Sequence, residues 1–214
     1  MKKILLTGFE PFGGDKLNPS GTIARELHGR EIAGHVVEGA VLPCVFGRSA
    51  TELKRLMKLH RPALVICLGL ANGRPGITPE RVAINVDDAR IPDNAGRQPV
   101  DRPVVRGGPA AYWSTLPVKA IVDRLHRARI VAAVSQTAGT FVCNHVFYAL
   151  MHELARRRAK IRGGFIHIPC QPEQAKKDEP SLSLSTMSRA VELAIEVALT
   201  QRHDLKRAGG GATH

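Results

Sequence analysis

Ala63-Leu64-Val65-Ile66-Cys67-Leu68-Gly69-Leu70 runs without a polar side chain between two breakers, Arg61-Pro62 before it and Ala71-Asn72-Gly73-Arg74-Pro75-Gly76 after it. A run this short cannot cross a membrane, which takes about 20 residues. It fits a central strand covered on both faces, the situation of a parallel sheet with helices above and below. Upstream, Gly47 to His60 carries a helical stripe through Leu53, Leu56, Met57 and His60. Before that, Lys3 to Thr7 reads as a first buried strand, and Gly8 to Asp15 as a glycine-rich loop. Asn18-Pro19-Ser20 then opens a helix to about His28, with a capping residue followed by proline at the first helical position. His35 to Leu42 is a second strand, ended by Pro43.

Downstream, Ile77 to Asp87 contains a strand over Glu80–Val86. Asp88 to Pro109 is rich in Pro, Gly, Asp and Arg and too long for a simple turn, so it reads as a functional or mobile loop. A helix over Pro117–Arg127, a strand over Ile130–Ser135, a strand over Gly163–Pro169 and a helix over Leu184–Thr200 complete the alternation. The expectation is a single-domain α/β/α sandwich, its mostly parallel, twisted sheet joined by right-handed crossovers. Residues 1–201 form that domain, and residues 202–214, ending Gly209-Gly210-Gly211-Ala212-Thr213-His214, are expected to be a disordered tail.

Among 214 residues, 43% are hydrophobic, which is enough for a sizeable core. Cys44, Cys67, Cys143 and Cys170 stand far apart with no C-x-x-C pair. That spacing speaks against a zinc ribbon or a disulfide framework and for reduced thiols in a cytoplasmic protein. Lys2-Lys3 followed by Ile4-Leu5-Leu6 is too short for a signal peptide core. The net charge of +12 invites a nucleic-acid reading. The basic residues are scattered, however, and the densest group, Arg156-Arg157-Arg158 with Lys160 and Arg162, falls at a helix C-terminus, where cations are favoured. Nine aromatics (6 Phe, 2 Tyr, 1 Trp) do not interleave with them as a base-stacking surface requires, so no specific nucleic-acid partner and no membrane are expected.

Chemistry points to Gly139-Thr140-Phe141-Val142-Cys143-Asn144-His145-Val146-Phe147-Tyr148-Ala149-Leu150. A glycine turn ends, a helix starts, and a cysteine lies in its first turn. The unpaired N–H groups and the dipole there favour a thiolate, the attacking form. A small buried hydrophobe is the competing reading. A nucleophilic cysteine needs a base. Of nine histidines, His145 projects to another helical face, His152 lies too far along the helix, and His28, His35, His60, His126, His203 and His214 have nothing site-like around them. His167, near the end of the apolar strand Phe165-Ile166-His167-Ile168-Pro169, is either a satisfied core residue or a base at the carboxyl edge of the sheet.

Gly76-Ile77-Thr78-Pro79-Glu80-Arg81-Val82-Ala83-Ile84-Asn85 and the Cys143 segment resemble the two signatures of the pyroglutamyl peptidase I (pyrrolidone-carboxylate peptidase) family. Thr7-Gly8-Phe9-Glu10-Pro11-Phe12-Gly13-Gly14 and the His167 strand resemble it too, and the similarity runs from about Lys3 to Thr200. The resemblance implies a Cys-His-Glu thiol peptidase that removes an N-terminal pyroglutamyl residue through an acyl-enzyme, without a cofactor or metal, as a homotetramer. By matching positions it implies Glu80, Cys143 and His167 as the triad, and Arg90 beside the backbone N–H of Cys143 as an oxyanion donor. It also implies Phe9, Phe12, Phe141 and Val142 as an apolar pocket for the lactam ring, with Asn18 at its corner. For the phenylalanines the alternative is core packing, for Asn18 a helix cap, for Glu80 an ion pair with a neighbouring arginine, and for Arg90 an ordinary loop charge. Leu70 departs from the pattern, standing where glutamine is expected. Cys170, close in sequence to His167, is either inert or a partner for Cys143 on oxidation. A non-catalytic module of the same fold with a basic binding surface is the alternative function. A phosphate-binding enzyme is disfavoured because the glycine loop lacks phosphate-loop spacing.

Overall fold

A computed structural model describes residues 1–157, 161–201, 203–206, 209 and 211. Arg158 and Lys160 of the basic cluster, and residues 202, 207, 208, 210 and 212–214 of the expected tail, lie outside the described residues. In chain order the elements are β1 (Lys2–Phe9), α1 (Pro19–Glu26), β2 (Glu31–Ile32), β3 (His35–Leu42), α2 (Arg48–His60), β4 (Leu64–Leu70), β5 (Thr78–Pro79), β6 (Val82–Ile84), β7 (Ala111–Trp113), α3 (Val118–Arg127), α4 (Val142–Arg156), β8 (Arg162–Ile168) and α5 (Leu184–Thr200).

The main sheet has the order β2-β3-β1-β4-β8-β5. Its centre is parallel: β3 on β1, β1 on β4 and β4 on β8. The sheet is mixed rather than uniformly parallel, because β2 on β3 and β5 on β8 run antiparallel. All seven residues of β4 are buried, as its unbroken apolar sequence requires. Alternation divides the core in two. Leu64, Ile66 and Leu68 join Ile4, Leu6, Ile166 and Ile168 against α1, α3 and α5. Val65 and Cys67 join Leu5, Phe9 and Phe165 against α2 and α4 on the other face. Each large apolar side chain so enclosed stabilises the fold by about 1.5–3 kcal/mol.

Two expected strands take other forms. Of Glu80–Val86 only Val82–Ile84 is a strand: β6 leaves the main sheet, in which β5 just before it stays, and pairs with β7, a three-residue strand that its length hides in the sequence. Ile130–Ser135 forms isolated bridges, Ile77 with Ala132 and Glu80 with Ser135, rather than a strand. Its partner β5 is only two residues long, and Val131 faces solvent, so the ladder is not continuous. Residues 88–109 contain no helix or strand, but hydrogen bonds hold them: Asp87 N to Arg102 O, Ala89 N to Pro99 O, and the Asn85 amide to the carbonyls of Val105 and Gly108. Within the segment after α5, the Asp204 carboxylate accepts the N–H groups of Lys119 and Ala120 at the start of α3. At the opposite end of the Cys143 helix, Arg156 and Arg157 pair with Glu153, which fits a solvated helix end. No helix among the described residues is long and apolar enough to cross a membrane.

Candidate active site

The turn before α4 sets the cysteine. Gly139 has φ +73°, a left-handed conformation that favours glycine. Thr140 is clamped to the long loop, its hydroxyl donating to Asp88 O at 2.7 Å while Asp88 N donates to Thr140 O at 3.0 Å. Phe141 is extended and caps the helix without a side-chain bond, so the first N–H groups of α4, that of Cys143 included, have no acceptor inside the helix. Buried Asn144 fixes the register: its Oδ1 accepts Ile84 N–H at 3.1 Å, and its Nδ2 donates to the carbonyls of Ile84 and Val86, both at 2.9 Å. The helix start is thereby pinned to β6.

The sheet sets the other groups. Gly69 of β4 is the register partner of His167 of β8, and partners in a ladder present their side chains on one face. A Cβ placed on Gly69 would lie 2.8 Å from Cys143 Sγ and 2.8 Å from Phe165 Cζ. The sulfur thus occupies the space that a side chain at Gly69 would fill, on the face that carries the His167 ring. Among the described residues no hydrogen bond joins Cys143 Sγ to the His167 ring directly; such bonds often tighten only when substrate is bound. Antiparallel pairing of Thr78 with His167 continues to a bond from Glu80 N to Phe165 O, which brings Glu80 to the same face. His167 Nδ1 lies 2.7 Å from Glu80 Oε1, the two residues being 3% and 0% exposed. The same Oε1 accepts from Arg74 Nη1 at 2.6 Å. Glu80 therefore both orients a histidine and forms an ion pair with an arginine, the two alternatives read for it.

Burial governs the titration. It is the leading cause holding the His167 imidazole below its usual value; contact with Glu80 opposes this. Burial also pushes the Cys143 thiol well above the usual thiol range, reinforced by neighbouring Cys44 and by the Glu80 charge, although the residue keeps part of its surface in solvent. Desolvation thus works against the acidification expected of a thiol at a helix start.

The expected pocket divides. Phe12 and Phe141 are half-buried, their ring centroids 6.0 Å apart, and Phe46 meets Phe141 edge-on at 5.4 Å. Phe9 and Val142 are core residues, 2% and 0% exposed, with Phe9 packed on Phe165. Asn18 is the cap of α1: its Oδ1 accepts Ser20 N–H and Oγ–H, and its Nδ2 donates to Glu10 O. Arg90 is exposed, two residues beyond the Asp88–Thr140 clamp, and no hydrogen bond or ion pair joins it to another described residue. Leu70 shares the alternation of Leu64, Ile66 and Leu68, away from Cys143, and is buried. The four cysteines are free, and Cys170 Sγ turns towards Pro180 O. His145 is structural: Nδ1 lies 2.8 Å from Asp87 Oδ2 and Nε2 accepts Gly47 N–H. Arg74, Gly69 and Phe46 were not anticipated. Only the glycine inside an apolar strand offered a signal, that of close approach by another group.

A thiol at a helix start beside a carboxylate-bound imidazole, at the carboxyl edge of an α/β sheet, is the group set of a cysteine hydrolase. A family model for pyroglutamyl peptidase matches residues 2–201, and the chain belongs to that family. It is similar to two Bacillus cereus pyrrolidone-carboxylate peptidases, 56% and 57% identical over 216 aligned residues and covering all of both chains. Among solved structures it resembles Bacillus amyloliquefaciens pyroglutamyl peptidase I (50% identical, TM-score 0.93, 96% of this chain and 100% of that one). It also resembles the pyrrolidone carboxyl peptidase of Thermococcus litoralis (41% identical, TM-score 0.94, 98% and 100%).

Proposed function

We propose that the protein is a thiol exopeptidase that hydrolyses the bond after an N-terminal pyroglutamyl residue, with Cys143, His167 and Glu80 as its working groups. The observation that carries the reading is the common face of the sheet: the Sγ of Cys143 in the space over Gly69, with the register partner His167 bound through Nδ1 to a buried carboxylate. With Nδ1–H donated to Glu80, Nε2 keeps a lone pair. It takes the thiol proton as Sγ adds to the pyroglutamyl carbonyl. The tetrahedral oxyanion meets the backbone N–H of Cys143, with Arg90 at the rim as a further donor. The imidazolium, stabilised by Glu80, passes its proton to the leaving amine, and a thioester remains. Water, deprotonated by the same imidazole, cleaves the thioester, releasing pyroglutamate and restoring the thiol. General acid–base help of this kind contributes about 10²–10⁴-fold.

Pyroglutamate is a neutral lactam. The half-buried rings of Phe12 and Phe141, backed by Phe46, suit its apolar edge, and a free N-terminal glutamate would have to desolvate charges there without partners. Because Leu70 points to the other side of the sheet, its side chain takes no part, and the backbone at that position is what remains to bond the lactam.

A fluorogenic pyroglutamyl-coumarin amide tests the proposal. Release of coumarin is expected, and Cys143→Ala is expected to abolish it. Well-folded protein that turns nothing over, or a Cys143→Ala variant that keeps its activity, overturns the reading.

A further inference from the structure

We propose that Arg74 is a positioning residue of this site, holding the Glu80 carboxylate against the His167 ring and tying both to the turn from which the Cys143 helix starts. The inference rests on the thiol-peptidase reading above. Arg74 stands in the loop after β4 and uses its fork on three acceptors in two segments. Nη1 donates to Glu80 Oε1 at 2.6 Å and to Thr78 Oγ1 at 2.6 Å, while Nη2 donates to Thr137 O at 2.9 Å. Thr137 in turn receives Gly139 N–H on its hydroxyl, at the glycine that precedes the nucleophile's helix.

The need for such a group follows from the burial of Glu80. Its side chain is fully enclosed, and Oε2 has no partner among the described residues. Oε1 alone receives both the imidazole N–H and the guanidinium. A buried carboxylate left with a single neutral donor would take up a proton or swing towards water. Either change releases Nδ1 of His167 and with it the direction of Nε2. Arg74 reaches the carboxylate and the Thr137 carbonyl from two different nitrogens. A lysine ammonium supplies the charge from one nitrogen and cannot span both acceptors in the same geometry. Charge and fork are therefore separable by substitution.

Arg74→Gln and Arg74→Lys are compared with the parent by three measurements: kcat and KM on the coumarin amide, the rate of iodoacetamide alkylation at Cys143 at one fixed pH read by mass spectrometry, and the thermal unfolding midpoint. Both variants are expected to lose about 10²-fold in kcat, with KM changed by no more than about twofold. The alkylation rate is expected to fall in Arg74→Gln, where a positive charge that favours the thiolate is lost, and to hold in Arg74→Lys. A kcat within about twofold of the parent in either variant, or an alkylation rate unchanged in Arg74→Gln, overturns the proposal. Should Arg74→Gln fail to fold, the Arg74→Lys kcat decides alone. Failure of the parent to turn over the amide overturns the peptidase reading instead, and the alkylation comparison still tests what Arg74 does.

Discussion

At the residue scale the site works against its own solvation. Burial lowers His167 from an ordinary value of 6.5, and the Glu80 contact that raises it is the smaller effect. Burial likewise raises Cys143 from 9.0. The base is the neutral imidazole, so activity is present above its ionisation and disappears as pH falls through it. The acid limb of kcat/KM is therefore expected below pH 6.5, and no basic limb from the thiol is expected below 9.0. A kcat/KM profile from about pH 5 to 9 checks both. An acid limb above 6.5 would mean that the Glu80 charge outweighs burial at the ring. The same ionisation bears on stability. A folded-state imidazole held below its unfolded value contributes nothing above 6.5 and destabilises the fold progressively as pH drops past that point, because only the unfolded chain takes up the proton.

At the element scale, the decisive feature is a missing side chain in β4. Val65 and Cys67 fill the face beneath α4, and the next position on that face, Gly69, leaves room for Sγ. An added methyl would meet Sγ at 2.8 Å and the Phe165 ring at 2.8 and 2.9 Å. Phe165 is fully buried between Phe9, Phe147 and His167 and cannot retreat cheaply, so the sulfur is the group that moves. Gly69→Ala is expected to cost about 1–3 kcal/mol of stability from overpacking. It should also lower kcat by about 10²-fold through displacement of the nucleophile. Urea unfolding and steady-state kinetics on the same preparation separate the two effects. A variant that loses the stability but keeps kcat would show that Sγ need not rest over Gly69.

At the scale of the whole molecule, what the sequence reveals and what it hides divide by range. The buried strand Leu64–Leu70, the helix bounded by Asn18 and Pro19, and the turn–helix junction at Cys143 are local patterns, and they are legible. Cys143 and His167 stood out locally only as candidates, each with a core reading beside it, and the family resemblance is what joined them. The role of Arg74 depends on an antiparallel register between β5 and β8, 87 residues apart at Glu80 and His167, and no local pattern announces it. The polarity of β5, the detachment of β6 and the docking of the C-terminal segment are long-range in the same sense. That docking has its own consequence. α3 begins at Val118 after Pro117, which offers no side-chain cap, and Asp204 supplies one from 84 and 85 residues away, accepting Ala120 N–H at 2.9 Å and Lys119 N–H at 3.1 Å. Leu205 then packs against the cluster shared by α3 and α5. A lost cap costs about 0.5–2 kcal/mol, and a carboxylate at a helix N-terminus adds a favourable interaction with the dipole. Asp204→Ala is thus expected to lower unfolding stability by about 1 kcal/mol while kcat and KM stay at parental values, because α3 lies on the side of the sheet away from Cys143. Urea unfolding beside the coumarin assay measures both. Stability unchanged by the substitution would mean that the segment after α5 is not held against α3 in solution.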